Sequence, residues 1–398
     1  MPPIDRERRW RGLLGREEVL AVLGEPEERR TDLAALLELA KEFDDDNRLA
    51  EVHQRQAAFS RAAGDYRAAL KPADEAVTAA RRAGNPLIEA RALAERAFAQ
   101  TRLGDMNAAR ETAEEALERA RESKDEPTLA FTLSRVGVYY AESDDPARAA
   151  QLRLQQIAID HCLGNREQEA RGLMNLGLNY LFLGLHKLAR TALEQALRLA
   201  ESVGSRRGRA YSLQNLGLVY WRSGDSRMAR QVLEQALSEM MTIGDVAGRA
   251  VTIEYLGLVI EQAGDAAGAE KRFAEAKDVL TKVGALGFVN DALAGLGRCA
   301  LAQGHLDDAG QYAAELWNAL ATGRAKGEFP MLGYQTCADL FDALSNGEQA
   351  RSAVETGYRE LMARAGKISD PDWRKAFLSD VPEHRAITET WEKLTHHE

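Results

Sequence analysis

Residues 175–180 read NLGLNY and residues 215–220 read NLGLVY, almost the same phrase forty positions later. The stretches after them repeat too: ARTALEQALRLAESVG at 189–204 against ARQVLEQALSEMMTIG at 229–244. Outward from these phrases, three combs step through the chain by forty. The first holds Gly24, Gly64, Gly104, Gly184, Gly224, Gly264 and Gly304, with Asp144 in the skipped place. Five residues after each tooth from Gly64 onward stands an alanine, from Ala69 to Ala309. The second holds Gly84, Gly164, Gly204, Gly244 and Gly284, with Lys124 in its gap. The third holds Ala57, Ala97, Gly137, Gly177, Gly217, Gly257 and Gly297.

Each comb has a physical meaning. The first two lie about twenty residues apart, which predicts two helices of roughly 17 residues per repeat. Glycine just past a helix supplies the left-handed residue that stops it, and the Asp that often comes next caps the following helix. Small residues of the third comb, with the alanines, mark where two helices cross closely. Around Gly177 and Gly217 the apolar residues recur at helical spacing, as in Leu173, Leu176 and Tyr180. Ala, Leu, Glu and Arg dominate, all strong helix formers, and there are only 10 prolines. An all-α chain is therefore expected, with no strand.

The pattern of Leu-Gly, Tyr, Gly-Asp and Ala resembles the tetratricopeptide repeat, here in a forty-residue form rather than the common one of about 34. That resemblance implies a right-handed superhelical α-solenoid. It covers 45–324 as seven units, with 1–44 as a degenerate capping pair around Gly24. Beyond 324 the ruler slips, and 325–398 is expected to hold one degenerate helix pair and capping helices. Ser345-Asn346-Gly347 forms the late turn, Ser369-Asp370-Pro371 starts a short helix, and a last helix begins near Glu383. The tail is similar to the C-terminal ends of bacterial signal-transduction ATPases and cyclase-linked ATPase regulators. No G-x-x-x-x-G-K-[ST] phosphate loop is present, so a free-standing relative or the sensor portion alone is expected.

The resemblance also places the first helix of each unit on an inner, concave wall. On that register the wall carries Arg91, Phe98 and Arg102, then Phe131, Arg135 and Glu142. It continues with Arg171, Met174, Asn175, Leu181 and Phe182, and then with Tyr211, Gln214, Asn215, Trp221 and Arg222. Last come Glu254, Tyr255, Glu261 and Gln262, with Asp291 and Arg298 beyond them. Aromatics are only 6% of the chain, yet Phe131, Phe182, Tyr211 and Trp221 fall in three successive units beside Arg171, Arg222, Asn175 and Asn215. Aromatic and Arg side chains are the commonest anchors of partners, and amides can hold an extended backbone. The expectation is a groove for a peptide with apolar anchors and some acidic character, with Arg91, Phe98, Arg102 and Arg298 as outlying contacts. The competing reading is that the aromatics pack between neighbouring units and the amides bond only to neighbouring helices.

Other chemistry finds little footing. His53, His161, His186, His305, His384, His396 and His397 make no H-E-x-x-H or His/Cys cluster, and His396-His397 reads as a tail. His161 and Cys162 are adjacent, so on a helix they diverge by about 100°. G-x-S-x-G and strand-borne G-x-G-x-x-G are absent, and pairs such as Glu114-Glu115 read as solvated helix charges. No catalytic residue, metal or cofactor is expected. Net charge is −10, against nonspecific nucleic-acid or membrane binding; Arg6, Arg8, Arg9 and Arg11, and Arg206, Arg207 and Arg209, read as surface. Cys162, Cys299 and Cys337 form no C-x-x-C, the N-terminus lacks an apolar signal core, and no membrane span is expected, so the default is a cytoplasmic protein. The leading expectation is a non-catalytic protein- or peptide-binding scaffold or sensor in bacterial signalling or regulation. The alternative is a ligand-sensing transcriptional or signalling regulator, which would need a closed pocket for a small molecule or a continuous basic stripe for nucleic acid.

Overall fold

The structure, a computed structural model, describes residues 3–322 and 327–396. The expected boundary at 324–325 and His397 of the tail fall outside them. The described residues form twenty helices and no strand. They are α1 (Pro3–Leu23), α2 (Pro26–Phe43), α3 (Asp46–Ala62), α4 (Tyr66–Ala83), α5 (Pro86–Arg102), α6 (Met106–Glu122), α7 (Glu126–Glu142), α8 (Pro146–Cys162), α9 (Arg166–Phe182) and α10 (His186–Ser202). Next come α11 (Arg206–Arg222), α12 (Ser226–Ile243), α13 (Val246–Gln262), α14 (Ala266–Lys282), α15 (Leu286–Ala302), α16 (Leu306–Thr322), α17 (Pro330–Ala343), α18 (Gly347–Ala365), α19 (Pro371–Ser379) and α20 (Pro382–His396). No helix among the described residues is long and apolar enough to cross a membrane.

The combs become turns. Every glycine of the first two combs has positive φ, between 64° and 89°, and the two stand-ins Lys124 and Asp144 take the same left-handed conformation at 55° and 59°. Ser345 is left-handed one place late, which is the expected slip. Asp65, Asp105, Asp225 and Asp265 each accept the backbone N–H three residues on, capping the next helix. On the second comb Asn85, Asp125, Ser205 and Asp245 do the same. A cap of this kind contributes about 1 kcal/mol.

The third comb sets the packing distance. A Cβ at Gly177 would stand 2.5 Å from Leu193 Cγ, and one at Gly257 2.8 Å from the Phe273 ring. Glycine there lets the second helix press a large side chain against the first helix's backbone. The alanines at 69, 109, 149, 189, 229, 269 and 309 are all fully buried. Single helices of 17 residues are marginal in water, so the fold rests on these neighbour contacts.

Two compact units are distinguished: residues 3–144 with 152–163, and residues 145–151 with 164–396. In each, consecutive helix pairs stack and the first helices line up on one wall: α3, α5 and α7 in the first unit, and α9, α11, α13 and α15 in the second.

Candidate partner-binding walls

In the first unit the wall is a stack of guanidiniums and rings. Arg91 lies 5.4 Å over the Phe131 ring, and Arg135 lies 5.0 Å over Phe131 and 5.7 Å over Phe98. Arg61 covers Phe98 at 5.8 Å, Tyr66 packs at a tilt on Phe98 at 6.1 Å, and Arg102 caps Tyr66 at 5.7 Å. Phe98 and Phe131 remain half-buried. Beneath them Glu95 is fully buried and bridges Arg61 at 2.7 Å and Arg135 at 3.7 Å. Arg102 pairs with Glu142, while Arg91 donates to Thr128 Oγ1 at 3.1 Å and makes no ion pair among the described residues, though Asp125 attracts it. Burial pulls the Arg91 guanidinium below its ordinary pKa range. The structure thus brings together Arg91, Phe98, Arg102 and Phe131. It adds Arg61, which lies on the wall register of α3 but was not singled out, and Tyr66, which opens a second helix, off that register.

The second unit's wall is filled by its own chain. Phe329, the residue before α17, is 4% exposed and meets three rings from three first helices edge-on. Those rings are Phe182 at 6.2 Å, Trp221 at 5.8 Å and Tyr255 at 6.4 Å. The Arg222 guanidinium lies 4.3 Å over Trp221 and 5.2 Å over Phe329, and grips Glu383 of α20 in a two-pronged ion pair at 2.7 and 2.6 Å. Both charges are buried, at 8% and 4% side-chain exposure. Burial acts to raise the Glu383 carboxyl, but the charge and hydrogen bonds of Arg222 hold it below its ordinary range. Nearby, Trp373 of α19 packs on Tyr180 at 5.8 Å, and His186 Nε2 lies 3.2 Å from the Asp380 carbonyl.

A carboxyl cluster lies beside Phe329. Asp291 accepts the backbone N–H of Glu328 at 2.5 Å and of Phe329 at 3.2 Å, and the Tyr255 hydroxyl donates to Glu328. Glu254 is 1% exposed, and neither of its oxygens has a hydrogen-bond partner among the described residues. Burial pushes Asp291 up to about 7 and Glu328 up to about 8. It raises Glu254 well above its ordinary value too, with Asp291 and Glu328 adding to the shift. No group of three or more His, Cys, Asp or Glu among the described residues is arranged to hold a metal ion.

The remaining wall residues are committed in different ways. Gln214 is buried and its amide donates to Gly248 O at 3.1 Å and Thr252 Oγ1 at 2.8 Å, so it ties α11 to α13. Tyr211 donates to Asp245 at 2.8 Å, Asn215 is buried, and Asn175 is half-buried. Arg171 is exposed and faces Glu167 at 3.5 Å. Arg298 holds Glu261 at 2.6 and 2.8 Å and Thr336 at 3.0 Å. Among the basic runs, Arg11 pairs with Glu7, Arg207 with Asp245 and Arg209 with Glu239. Phe329 and Glu383 were not legible as wall occupants: each lies more than a hundred residues from its partners on α9 and α11.

Forty-residue helix pairs with left-handed turns, closed crossings and a first-helix wall define a tetratricopeptide-type α-solenoid. The tetratricopeptide repeat family model matches residues 168–238, and that of anaphase-promoting complex subunit 5 matches residues 90–139. The fold is similar to that of the quorum sensor NprR from B. thuringiensis in its apo form: TM-score 0.57, 14% identity, 87% of this chain and 97% of that one. NprR in complex with its cognate peptide NprX gives a TM-score of 0.60, with 12% identity over 86% of this chain and 99% of that one. A signal transduction ATPase with numerous domains and a tetratricopeptide repeat sensor, from Pyrococcus horikoshii, gives 0.55 at 15% identity, over 74% of this chain and 45% of that one. At these identities the likeness is one of fold. No curated protein shows significant sequence similarity to the chain.

Proposed function

We propose that this chain is a non-catalytic scaffold or sensor module of a bacterial signalling system. It binds a peptide segment of a partner protein on the first-helix wall of its first unit, in the cytoplasm. The observation that carries the reading is the stack Arg91–Phe131–Arg135–Phe98–Arg61. Two half-buried aromatic rings are fixed by the guanidiniums packed over them. Each such contact contributes about 0.5–2 kcal/mol toward holding a ring still, which reduces the ordering cost of binding. Arg91 makes no ion pair among the described residues and is only attracted by Asp125, so the wall favours a segment carrying Asp or Glu beside an apolar anchor. The likeness to a protein solved with its cognate peptide supports peptide binding as the mode of use.

The test is selection of short random peptides on the full chain, with affinities then measured on purified variants. Recovered sequences are expected to pair acidic residues with an apolar one. Their affinity should fall about tenfold or more in Phe131→Ala and in Arg135→Glu, the loss of one buried aromatic or charge-assisted contact. Recovered peptides with no acidic bias, bound equally by both variants, refute the assignment.

A further inference from the structure

We infer that the ring box on α9, α11 and α13 is a second peptide site, held shut here by Glu328 and Phe329. Its preferred occupant is a partner segment in which a basic residue directly precedes an aromatic one. The inference rests on the reading that these walls take peptide segments.

The chain's own segment shows how the site grips. Phe329 supplies one ring to three, and Asp291 receives two successive main-chain N–H groups, a hold any non-proline pair of residues would satisfy. Specificity therefore falls to the side chain before the ring. In the closed state that side chain is Glu328, a poor choice on electrostatic grounds. It brings a third, half-buried carboxyl toward the buried Glu254 and Asp291, where the Tyr255 hydroxyl meets it and the charges of Arg298 and Arg222 offset the crowding only in part. Carboxyls crowded away from water repel one another or must stay protonated. Glu254 is left with both oxygens unmet among the described residues, although buried groups of this kind are ordinarily hydrogen-bonded. A wall serving only as core would gain by replacing Glu254 with an apolar residue. A Lys or Arg in place of Glu328 would instead bring donors to Glu254 and relieve the crowding, while the next residue, an aromatic, keeps the box filled. The resident segment thus reads as a weak internal occupant, displaceable by one of opposite charge.

The experiment uses the full chain and three fluorescein-labelled, end-blocked peptides: Gly-Lys-Phe-Pro-Met-Leu-Gly, its Glu-Phe counterpart and its Lys-Ala counterpart. Fluorescence anisotropy is read for the wild type and for Phe329→Ala, whose box is vacated. Circular dichroism checks folding; should Phe329→Ala fail to fold, Phe329→Leu takes its place under the same criteria. The Lys-Phe peptide is expected to bind the vacated variant about tenfold more tightly than the wild type. It should also bind about tenfold more tightly than the Glu-Phe peptide, with no binding by Lys-Ala. Adding Glu254→Gln and Asp291→Asn should erase the preference for Lys. Equal affinities for Lys-Phe and Glu-Phe, or no binding to the folded vacated variant, overturn the inference. Acidic peptides selected on the first unit, measured in the same preparation, report separately on the proposed function.

Discussion

Glu383→Gln is the most informative single change in the second unit. It keeps the side chain's size and removes the charge that Arg222 holds through two hydrogen bonds across 161 residues of sequence. Arg222 then stays buried against Trp221 and Phe329 with its charge uncompensated. Breaking such a pair costs about 3–5 kcal/mol, whereas an exposed ion pair contributes at most about 1 kcal/mol. The ring contacts persist in the variant, so they do not reduce the difference. Replacing both partners, as Arg222→Met with Glu383→Leu, removes the stranded charge and should restore stability to within about 1 kcal/mol of wild type or above it. Urea unfolding monitored by tryptophan fluorescence is a suitable assay, since Trp221, Trp317, Trp373 and Trp391 lie in this unit and only Trp10 lies in the other. Because the folded Glu383 carboxyl is held below its ordinary range, the pair's contribution is present above the unfolded carboxylate value of about 4.3. It is lost as pH falls through the folded value. A cost below about 1 kcal/mol, or one that vanishes in 1 M salt, would refute the seating of α20 on α11.

Other consequences are open to the same assay. Gly184 and Gly224 share φ +77°, but a Cβ at Gly184 would stand 2.6 Å from the Ala376 carbonyl of α19, while one at Gly224 meets nothing. Both alanine variants carry the left-handed strain of about 1–2 kcal/mol, and Gly184→Ala should cost at least about 1 kcal/mol more; equal losses would contradict the close approach of α19. Gly177→Ala should cost about 1–3 kcal/mol by driving a methyl into Leu193, and a neutral result would mean the crossing is looser than 2.5 Å implies. Asp291 and Glu328 titrate near 7 and 8 in the fold but near 4 when unfolded, so the native state binds the extra protons and stability should fall as pH rises from about 4 to 8. Asp291→Asn, which keeps one of the two acceptor oxygens and carries no titrating carboxyl, should flatten that slope; parallel pH curves for variant and wild type would count against the buried cluster.

Much of the fold was readable because a repeat states its geometry many times. One glycine at 224 is weak evidence for a turn, but the same tooth at seven positions fixes turn, cap and crossing together. Even the misfits proved informative, since Lys124 and Asp144 adopt the glycine conformation that their place in the comb demands. The wall register likewise brought Arg91, Phe98, Arg102 and Phe131 to one face from sequence alone. What could not be read was what lies on a wall. Phe329 and Glu383 occupy no position in the ruler, and nothing local distinguishes Glu383 from an ordinary first-turn carboxylate. Their pairing with the second unit's wall comes from how that unit folds upon its own end, a long-range outcome that periodicity does not encode. Gln214 shows the same limit on a smaller scale: the register places it on the wall, but a free amide donor so close to Gly248 O and Thr252 is drawn into the stack.

Hydrogen–deuterium exchange of the full chain, with and without a selected acidic peptide at saturation, tests most directly whether partners meet the first-helix wall. Added protection is predicted in α5 and α7, around Phe98, Phe131 and Arg135, with α6 and α4 beyond its first turn unchanged. Protection confined to α4 and α6, or spread over both helices of each pair alike, would contradict it.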